Sequence, residues 1–223
     1  MVYITLAEDI PRDPVGYIYI TRGTILTDEE LVRACRLALR TLEVECLIRD
    51  RMPLLVEAIR GSAIQTLRLN NTQLTDADVV LLAPVLPTLP NLITLDLEYN
   101  DFGEVGLLAL AAVIPQCPNL VNIEFGGTFY GPEAGTGPGA IVDAIRGRRN
   151  FDIPRLQFGW AGVRADVAAR YARYRALAVA GQVVLPLLVP GRTPAQIWAE
   201  WRDGDHAMMY RVVQFLVDPS RWG

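Results

Sequence analysis

The sequence predicts an α/β fold: a curved solenoid with a parallel sheet on its concave face, helices on its convex face and a helical C-terminal cap. Two observations support this prediction. An alternating apolar pattern recurs three times at one fixed interval across residues 64–130, and each copy leads into a segment with helical periodicity. A strand and helix of this length cannot bury their own apolar faces, so neighbouring units must stack.

The regular core consists of three strands in phase. Apolar pairs at alternate positions mark these strands: Leu67 and Leu69, Leu95 and Leu97, and Ile123 and Phe125. The segment TDADVVLLAPVL follows the first strand as a helix with Thr75 as its N-cap, and GEVGLLALAAVI forms the helix after the second. Residues 64–130 are therefore predicted to be the most regular part of the fold.

Less regular units extend the series towards the N-terminus. An upstream copy runs from Val15 to Ile25 and leads into a helix over residues 27–42. Residues 44–50 (VECLIRD) then fit another strand, and residues 53–61 fit a short helix closed by Gly61. About six strands are predicted in all, with a hairpin-like N-terminal segment covering the first of them.

The C-terminal part departs from the fixed interval of the regular core. An insertion, GPEAGTGPG, is predicted as a loop at residues 131–139, before a helix over residues 140–147 and a strand over 153–158. Although GTGPGA before a helix superficially resembles a phosphate-binding loop, it has neither the glycine spacing nor the lysine of one. We assign residues 1–180 to the solenoid, in about six units, and residues 181–223 to the helical cap.

The repeat resembles the leucine-rich repeat family, and its length is similar to that of the ribonuclease-inhibitor-like and Ran GTPase-activating-protein-like branch. The phrases LPNL and CPNL before the strands are typical of it. Asn100 occupies the family's asparagine position in one unit, whereas Thr72 and Thr128 occupy it in the other two. The resemblance implies a parallel sheet with protein partners, and it permits an accelerating role on a small GTPase.

Parallel strands one period apart place equivalent side chains beside one another, roughly 4.8 Å apart, on the concave face. A central row of Tyr19, Arg68, Asp96, Glu124 and Gln157 is predicted, beside a second row of Thr21, Asn70, Glu98, Gly126 and Gly159.

An acidic patch of Asp96, Glu98 and Glu124 follows from these rows, flanked by Arg68. Neighbouring carboxylates repel one another, which favours a cationic partner. A hydrated face in which Arg68 pairs with Asp96 explains the same residues equally well. Tyr99 and Trp160 at the strand ends supply the aromatic anchors that interfaces prefer. The predicted partner-binding residues are Arg68, Asp96, Glu98, Tyr99, Glu124 and Trp160.

A second, basic surface is rich in arginine between residues 146 and 175. Its candidate residues are Arg146, Arg148, Arg149, Arg170 and Arg173. The interleaved aromatics of RYARYR can stack on bases, but Val167 and Tyr171 fall at helical spacing with Val163 and Tyr174 and predict a core-facing stripe. We interpret the arginines as a solvated convex face and do not expect nucleic-acid binding.

Several kinds of chemistry are excluded by composition. All 21 basic residues are arginine, so neither a phosphate-loop lysine nor a Schiff-base amine is available. The sole histidine, His206 in the turn-like DGDH, cannot form a multi-histidine metal site. Cys35, Cys46 and Cys117 are expected as core residues. We therefore predict no catalytic residues, no metal and no cofactor.

The sequence thus predicts a non-catalytic, protein-binding scaffold that uses its concave sheet, with its oligomeric state undetermined. The alternatives are a structural component of a larger assembly and a regulator of a small GTPase. The start, MVYITLAEDI, lacks the charged and apolar regions of a signal peptide, and the longest apolar runs are too short for a membrane span. We expect a cytoplasmic protein without membrane contact.

Overall fold

A computed structural model describes residues 1–46, 48–126, 136–146, 155–158 and 165–172. These residues form a parallel sheet of seven strands whose spatial order equals their order in the chain. The strands are β1 (Val2–Ile4), β2 (Val15–Ile20), β3 (Ala38–Val44), β4 (Thr66–Arg68), β5 (Thr94–Asp96), β6 (Asn122–Phe125) and β7 (Arg155–Phe158).

Helices connect these strands and cover one face of the sheet. They are α1 (Asp28–Leu37), α2 (Met52–Ile59), α3 (Asp76–Leu82), α4 (Glu104–Val113) and α5 (Thr136–Arg146), with a further helical segment at residues 165–172. Each helix from α1 to α4 packs against the next helix in the chain. The core lies between the sheet and this helical layer, because alternate strand residues such as Leu67, Leu95 and Ile123 are fully buried there.

The three regular units have the register that the sequence predicts. Leu67 pairs with Leu95, and Leu95 pairs with Ile123, so the fixed interval of the repeat corresponds to one step across the sheet. Thr75 is the N-cap of α3, as predicted, and both its backbone N–H and its hydroxyl donate to Asp78 Oδ2. Gly61 has a φ of 69° just after α2, which explains glycine at the end of that helix.

The predicted boundary between the first long helix and the next strand is wrong. Helix α1 ends at Leu37, not at residue 42, and the strand occupies Ala38–Val44 rather than residues 44–50. Leu42 and Val44 are the buried pair of this unit. Leu42 pairs with Ile18 in β2 and with Leu67 in β4. Both partners are fewer residues away along the chain than the fixed interval of the regular core. A search at that interval therefore does not find Leu42.

The N-terminal segment is a strand of the sheet and not a hairpin-like cover. Strand β1 pairs in parallel with β2, which raises the number of strands from the predicted six or so to seven. Asp9 Oδ2 closes the turn after β1 by accepting hydrogen bonds from the backbone N–H groups of Thr5 and Leu6. Because β1 and β2 are parallel, the segment between them must return the chain to the end of the sheet where β1 begins.

Part of the glycine-rich insertion is helical. The prediction placed residues 131–139 in a loop, but α5 begins at Thr136 and includes Gly137, Pro138 and Gly139. Proline is tolerated in a first turn because its missing N–H would have no partner within the helix. The N–H of Gly137, also in this first turn, donates to a carboxylate oxygen of Glu104 at the start of the preceding helix, α4.

Other predictions fall partly or wholly outside the described residues. The cap at 181–223, DGDH, Thr128 and residues 131–135 lie outside them. All three cysteines are buried and free, in agreement with a core role. Within the described ranges, the helices are too short or too polar to cross a membrane.

Candidate partner-binding face

The open face of the sheet, opposite the helices and predicted as concave, carries two rows of side chains. The register confirms the predicted order of the central row and adds two members that the sequence analysis missed, Tyr3 and Glu43. In spatial order the row is Tyr3, Tyr19, Glu43, Arg68, Asp96, Glu124 and Gln157. Tyr19, Glu43 and Arg68 are paired across adjacent strands, so the residues two positions after them are also neighbours. This places Glu45 in the second row, between Thr21 and Asn70.

Arg68 lies between two carboxylates on the neighbouring strands. Its Nη1 is 3.4 Å from Glu43 Oε2, and its Nε is 3.9 Å from Asp96 Oδ2. The predicted pairing of Arg68 with Asp96 is therefore present, but the shorter contact is with Glu43. The misplaced boundary of β3 explains why the sequence analysis overlooked that contact.

Tyrosines form the N-terminal end of the open face. The hydroxyl of Tyr17 donates to Glu43 Oε2, and that of Tyr19 donates to Glu45 Oε2 at 2.5 Å. Burial and the hydrogen bond to Glu43 raise the pKa of Tyr17 to about 12, while the hydrogen bond to Glu45 and burial raise the pKa of Tyr19 to about 12. The ring of Tyr3 packs edge-on against Tyr19, with centroids 5.4 Å apart. This end is therefore a fixed aromatic surface.

The acidic patch predicted from the sequence is assembled by β5 and β6. Asp96 is buried, and its Oδ1 accepts a hydrogen bond from the Glu98 backbone N–H at 3.0 Å. Burial raises the pKa of Asp96; the Glu124 charge acts in the same direction, against the Glu98 hydrogen bond and Arg68. Burial also raises the pKa of Glu98, together with the charges of Asp96 and Glu124. Ionising both Asp96 and Glu98 at neutral pH therefore costs free energy.

A glycine opposite Glu98 makes room for its carboxylate. A Cβ built on Gly126 would overlap Glu98 Oε1 and lie 3.1 Å from Glu98 Cδ. The backbone of Gly126 is hydrogen-bonded to Glu98 and opposes the rise in its pKa. The absence of a side chain at Gly126 thus lets the Glu98 carboxylate lie over β6, towards Glu124.

The acidic patch also has the spacing of a cation-binding group, although no metal site was predicted. One carboxylate oxygen from each of Asp96, Glu98 and Glu124 lies within 4.8 Å of the other two. Carboxylate oxygens suit Ca²⁺ and Mg²⁺, but these ions take about six or more ligands. Three acidic groups alone do not define a metal site.

The two predicted aromatic anchors have different outcomes. Tyr99 is 63% exposed and follows Glu98 directly, in a turn where its φ is 56°. The Tyr99 backbone N–H donates to the Gly126 carbonyl at 2.8 Å, which holds this turn against the next strand. Trp160 lies outside the described residues.

The predicted basic surface is described only at Arg170. This guanidinium pairs with Asp143 on α5, at 3.1 Å, so it belongs to the helical layer rather than to the open face. Val167 and Tyr171 are buried, which confirms those two members of the predicted core-facing stripe. The other candidates cannot be placed, because Arg148, Arg149 and Arg173, and the side chain of Arg146, lie outside the described part.

Comparison with solved structures identifies the type of fold. A structure titled "Leiomodin-1 Actin-Binding Site 2 (ABS2)" is similar with a TM-score of 0.53 and 16% identity, over 78% of this chain and 86% of that one. The tropomodulin C-terminal domain of Caenorhabditis elegans is similar with a TM-score of 0.55 and 19% identity, over 73% of this chain and 99% of that one.

The fold is therefore of the leucine-rich-repeat type. These likenesses do not distinguish the ribonuclease-inhibitor-like and Ran GTPase-activating-protein-like branch within it. No protein-family model matches the chain, and no curated protein matches it in sequence.

Proposed function

We propose that this protein is a non-catalytic protein-interaction module that binds a macromolecular partner on its open sheet face. One observation carries the proposal: polar, acidic and aromatic side chains form continuous rows on a face that the helical layer leaves accessible. Backbone hydrogen bonds between the strands hold these rows in place, so that binding requires little ordering of the main chain. Exposed aromatic side chains, Tyr3 at the N-terminal end of the rows and Tyr99 after β5, supply large contact areas.

The similar structures support a protein as the partner. One of them is titled as an actin-binding site. Likeness in fold alone does not carry a partner from one protein to another, since the same fold hosts many functions. Actin is therefore the first partner to test, and an open-face contact is the expected mode whichever protein binds.

Site-specific photo-crosslinking tests the proposed face. A photoreactive amino acid is placed at Thr94 or Tyr99 on the open side, and at the exposed Glu29 on α1 or Glu57 on α2 as matched controls on the helical side. Each protein is irradiated with purified actin and, separately, with an extract of the native source. Crosslinks confined to the open-side positions support the proposal, whereas crosslinks confined to the helical-side positions contradict it.

The structure refines the mutation that best tests the acidic patch. From the sequence alone, the test would be to replace both Asp96 and Glu124 by arginine. Asp96 is only 6% exposed, however, so Asp96→Arg would disturb folding as well as binding. Glu98→Gln combined with Glu124→Gln removes charge from more accessible positions. This variant is expected to fold and to lose partner capture; undiminished capture would remove the acidic patch from the interface.

A second candidate function, a component of a larger assembly, has its own supporting observation. Val80 and Leu81 on α3 and Val105 and Leu108 on α4 are between 43% and 56% exposed on the helical layer. We propose that a second copy of the chain covers this apolar surface. Self-association in analytical ultracentrifugation, lost on Val105→Ser with Leu108→Ser, supports this function; a monomer at all concentrations rejects it. Regulation of a small GTPase stays a prediction from the resemblance.

A further inference from the structure

The open face has an excess of negative charge. In the central and second rows, the described side chains carried by β3 to β6 and the residues directly after them include one guanidinium, that of Arg68. They include five carboxylates: Glu43, Glu45, Asp96, Glu98 and Glu124. Such an imbalance favours a partner surface of opposite charge, which speeds association and selects among partners.

We propose that the segment bound by this face presents an arginine, whose guanidinium pairs with Glu98 and Glu124. This inference rests on the proposed function and names the chemistry of the partner. The occupant is a protein segment that lies across β5 and β6, with its arginine directed into the sheet face.

Arg68 shows how a guanidinium fits this sheet. It lies between carboxylates on the two adjacent strands, within 3.4 Å of Glu43 and 3.9 Å of Asp96. Adjacent parallel strands are roughly 4.8 Å apart, so the planar fork of arginine can reach both neighbours. One strand further along, Asp96 and Glu124 are neighbours in the same row, and among the described residues that row contains no arginine beyond Arg68.

The acidic patch matches the size of a guanidinium. Its three carboxylate oxygens lie within 4.8 Å of one another. A guanidinium carries five N–H donors in a rigid plane and can bond two carboxylates at once, whereas an ammonium acts as a compact point charge. This geometry predicts that arginine binds more tightly than lysine.

Tyr99 adds an aromatic side chain at the end of the strand that carries Asp96. It is exposed at the strand end, one residue beyond Glu98, and its backbone is tied to β6 by the hydrogen bond to the Gly126 carbonyl. Guanidinium groups stack on aromatic rings. An exposed aromatic residue therefore follows the acidic Glu98 directly in the chain.

The test uses a defined probe with a neutral isostere. The peptide acetyl-GSRGSRGS-amide is titrated into the ¹⁵N-labelled full chain, beside peptides with citrulline or lysine in place of arginine. We expect saturable shifts of the Glu98, Tyr99 and Glu124 amides, and binding of the arginine peptide roughly tenfold tighter than of the citrulline peptide. Equal affinities for arginine and citrulline, or tighter binding of lysine, overturn the proposal.

Matched variants locate the binding position. Glu98→Gln and Glu124→Gln are each expected to weaken binding of the arginine peptide by about tenfold. Glu57→Gln, which removes an exposed carboxylate on α2, leaves the affinity unchanged. Shifts that persist in both Gln variants place the peptide elsewhere and reject the inference. Displacement of the peptide by CaCl₂ at equimolar concentration rejects it also, because the acidic patch is then a cation site.

The two proposals fail in different ways. If the native partner crosslinks at Thr94 or Tyr99 in wild type and in Glu98→Gln with Glu124→Gln alike, the open face binds a partner, but not through an arginine. If the arginine peptide binds and crosslinks of the native partner form only on the helical side, the proposed function is wrong. The peptide titration and the crosslinking experiment therefore test separate statements.

Discussion

Asn100 Oδ1 accepts a hydrogen bond from the backbone N–H of Thr72, at 3.1 Å, although the two residues are 28 positions apart. The same oxygen accepts from the Leu74 N–H at 3.0 Å. Asn100 Nδ2 donates to the carbonyls of Leu69 and Leu97, at 2.7 and 3.0 Å. One buried carboxamide thus satisfies the backbone of two successive turns.

Replacing this carboxamide should be costly. In Asn100→Ala, buried donors and acceptors in both turns lose their partners, and the free energy of unfolding should fall by about 3 kcal/mol or more. Urea denaturation measures this loss. Thr72→Ser is the matched control: it keeps the hydroxyl that donates to the Leu69 carbonyl and should change stability by less than about 1 kcal/mol. Similar losses in both variants would contradict the proposed role of Asn100.

Asp76 links two helices at their N-terminal ends. Its Oδ1 accepts hydrogen bonds from the backbone N–H groups of Gly103 and Gly106, at 2.8 and 2.7 Å, so a residue of α3 caps α4. Asp76→Ala should lower the free energy of unfolding by about 1–2 kcal/mol, measured by thermal or urea denaturation. Asp76→Asn keeps an acceptor and should lose less; an equal loss would show that charge, not capping, stabilises this end.

Asp96 should make stability depend on pH. Its folded-state pKa is raised above the ordinary value of 3.8, mainly by burial, so the folded state keeps a proton that the unfolded state has released. Its contribution to stability is therefore greatest below pH 3.8 and is lost as the pH rises through the raised pKa. Asp96→Asn keeps the Oδ1 acceptor for Glu98 and removes this dependence.

The measurement is urea denaturation of wild type and Asp96→Asn over a pH series from about 3.5 to 7. Relative to the variant, wild type should lose stability as the pH increases. A variant that is less stable than wild type at neutral pH would mean that the ion pair with Arg68 outweighs the cost of burying the charge.

Gly126 should matter more for binding than for stability. In Gly126→Ala the new Cβ occupies the position of Glu98 Oε1, at the end of a flexible side chain that can rotate away. The expected loss of stability is below about 1 kcal/mol, while binding of the arginine peptide should weaken about as much as in Glu98→Gln. Denaturation and the peptide titration measure the two effects. Full retention of peptide binding would show that the position of Glu98 is unimportant.

Much of the sheet was predictable because side chains of a strand alternate with a period of two. In residues 64–126 that alternation, together with the fixed interval of the repeat, correctly placed Arg68, Asp96 and Glu124 in one row. The prediction failed at residues 38–44, where ALRTLEV satisfies both a helical and an alternating pattern. There the choice depends on pairing with β2 and β4, which a fixed interval does not reveal.

The sequence by itself determined the repeat, the buried strand positions of residues 64–126 and the acidic patch, since these follow from periodicity. The asparagine position at Asn100 followed from the resemblance to the leucine-rich repeat family. Only the tertiary structure decided that Arg68 contacts Glu43 as well as Asp96, that Tyr17 donates to Glu43, and that the Glu98 carboxylate lies over Gly126. Spacing along the chain determines which residues are neighbours across the sheet. The direction and pairing of their side chains depend on the space and charge that those neighbours provide.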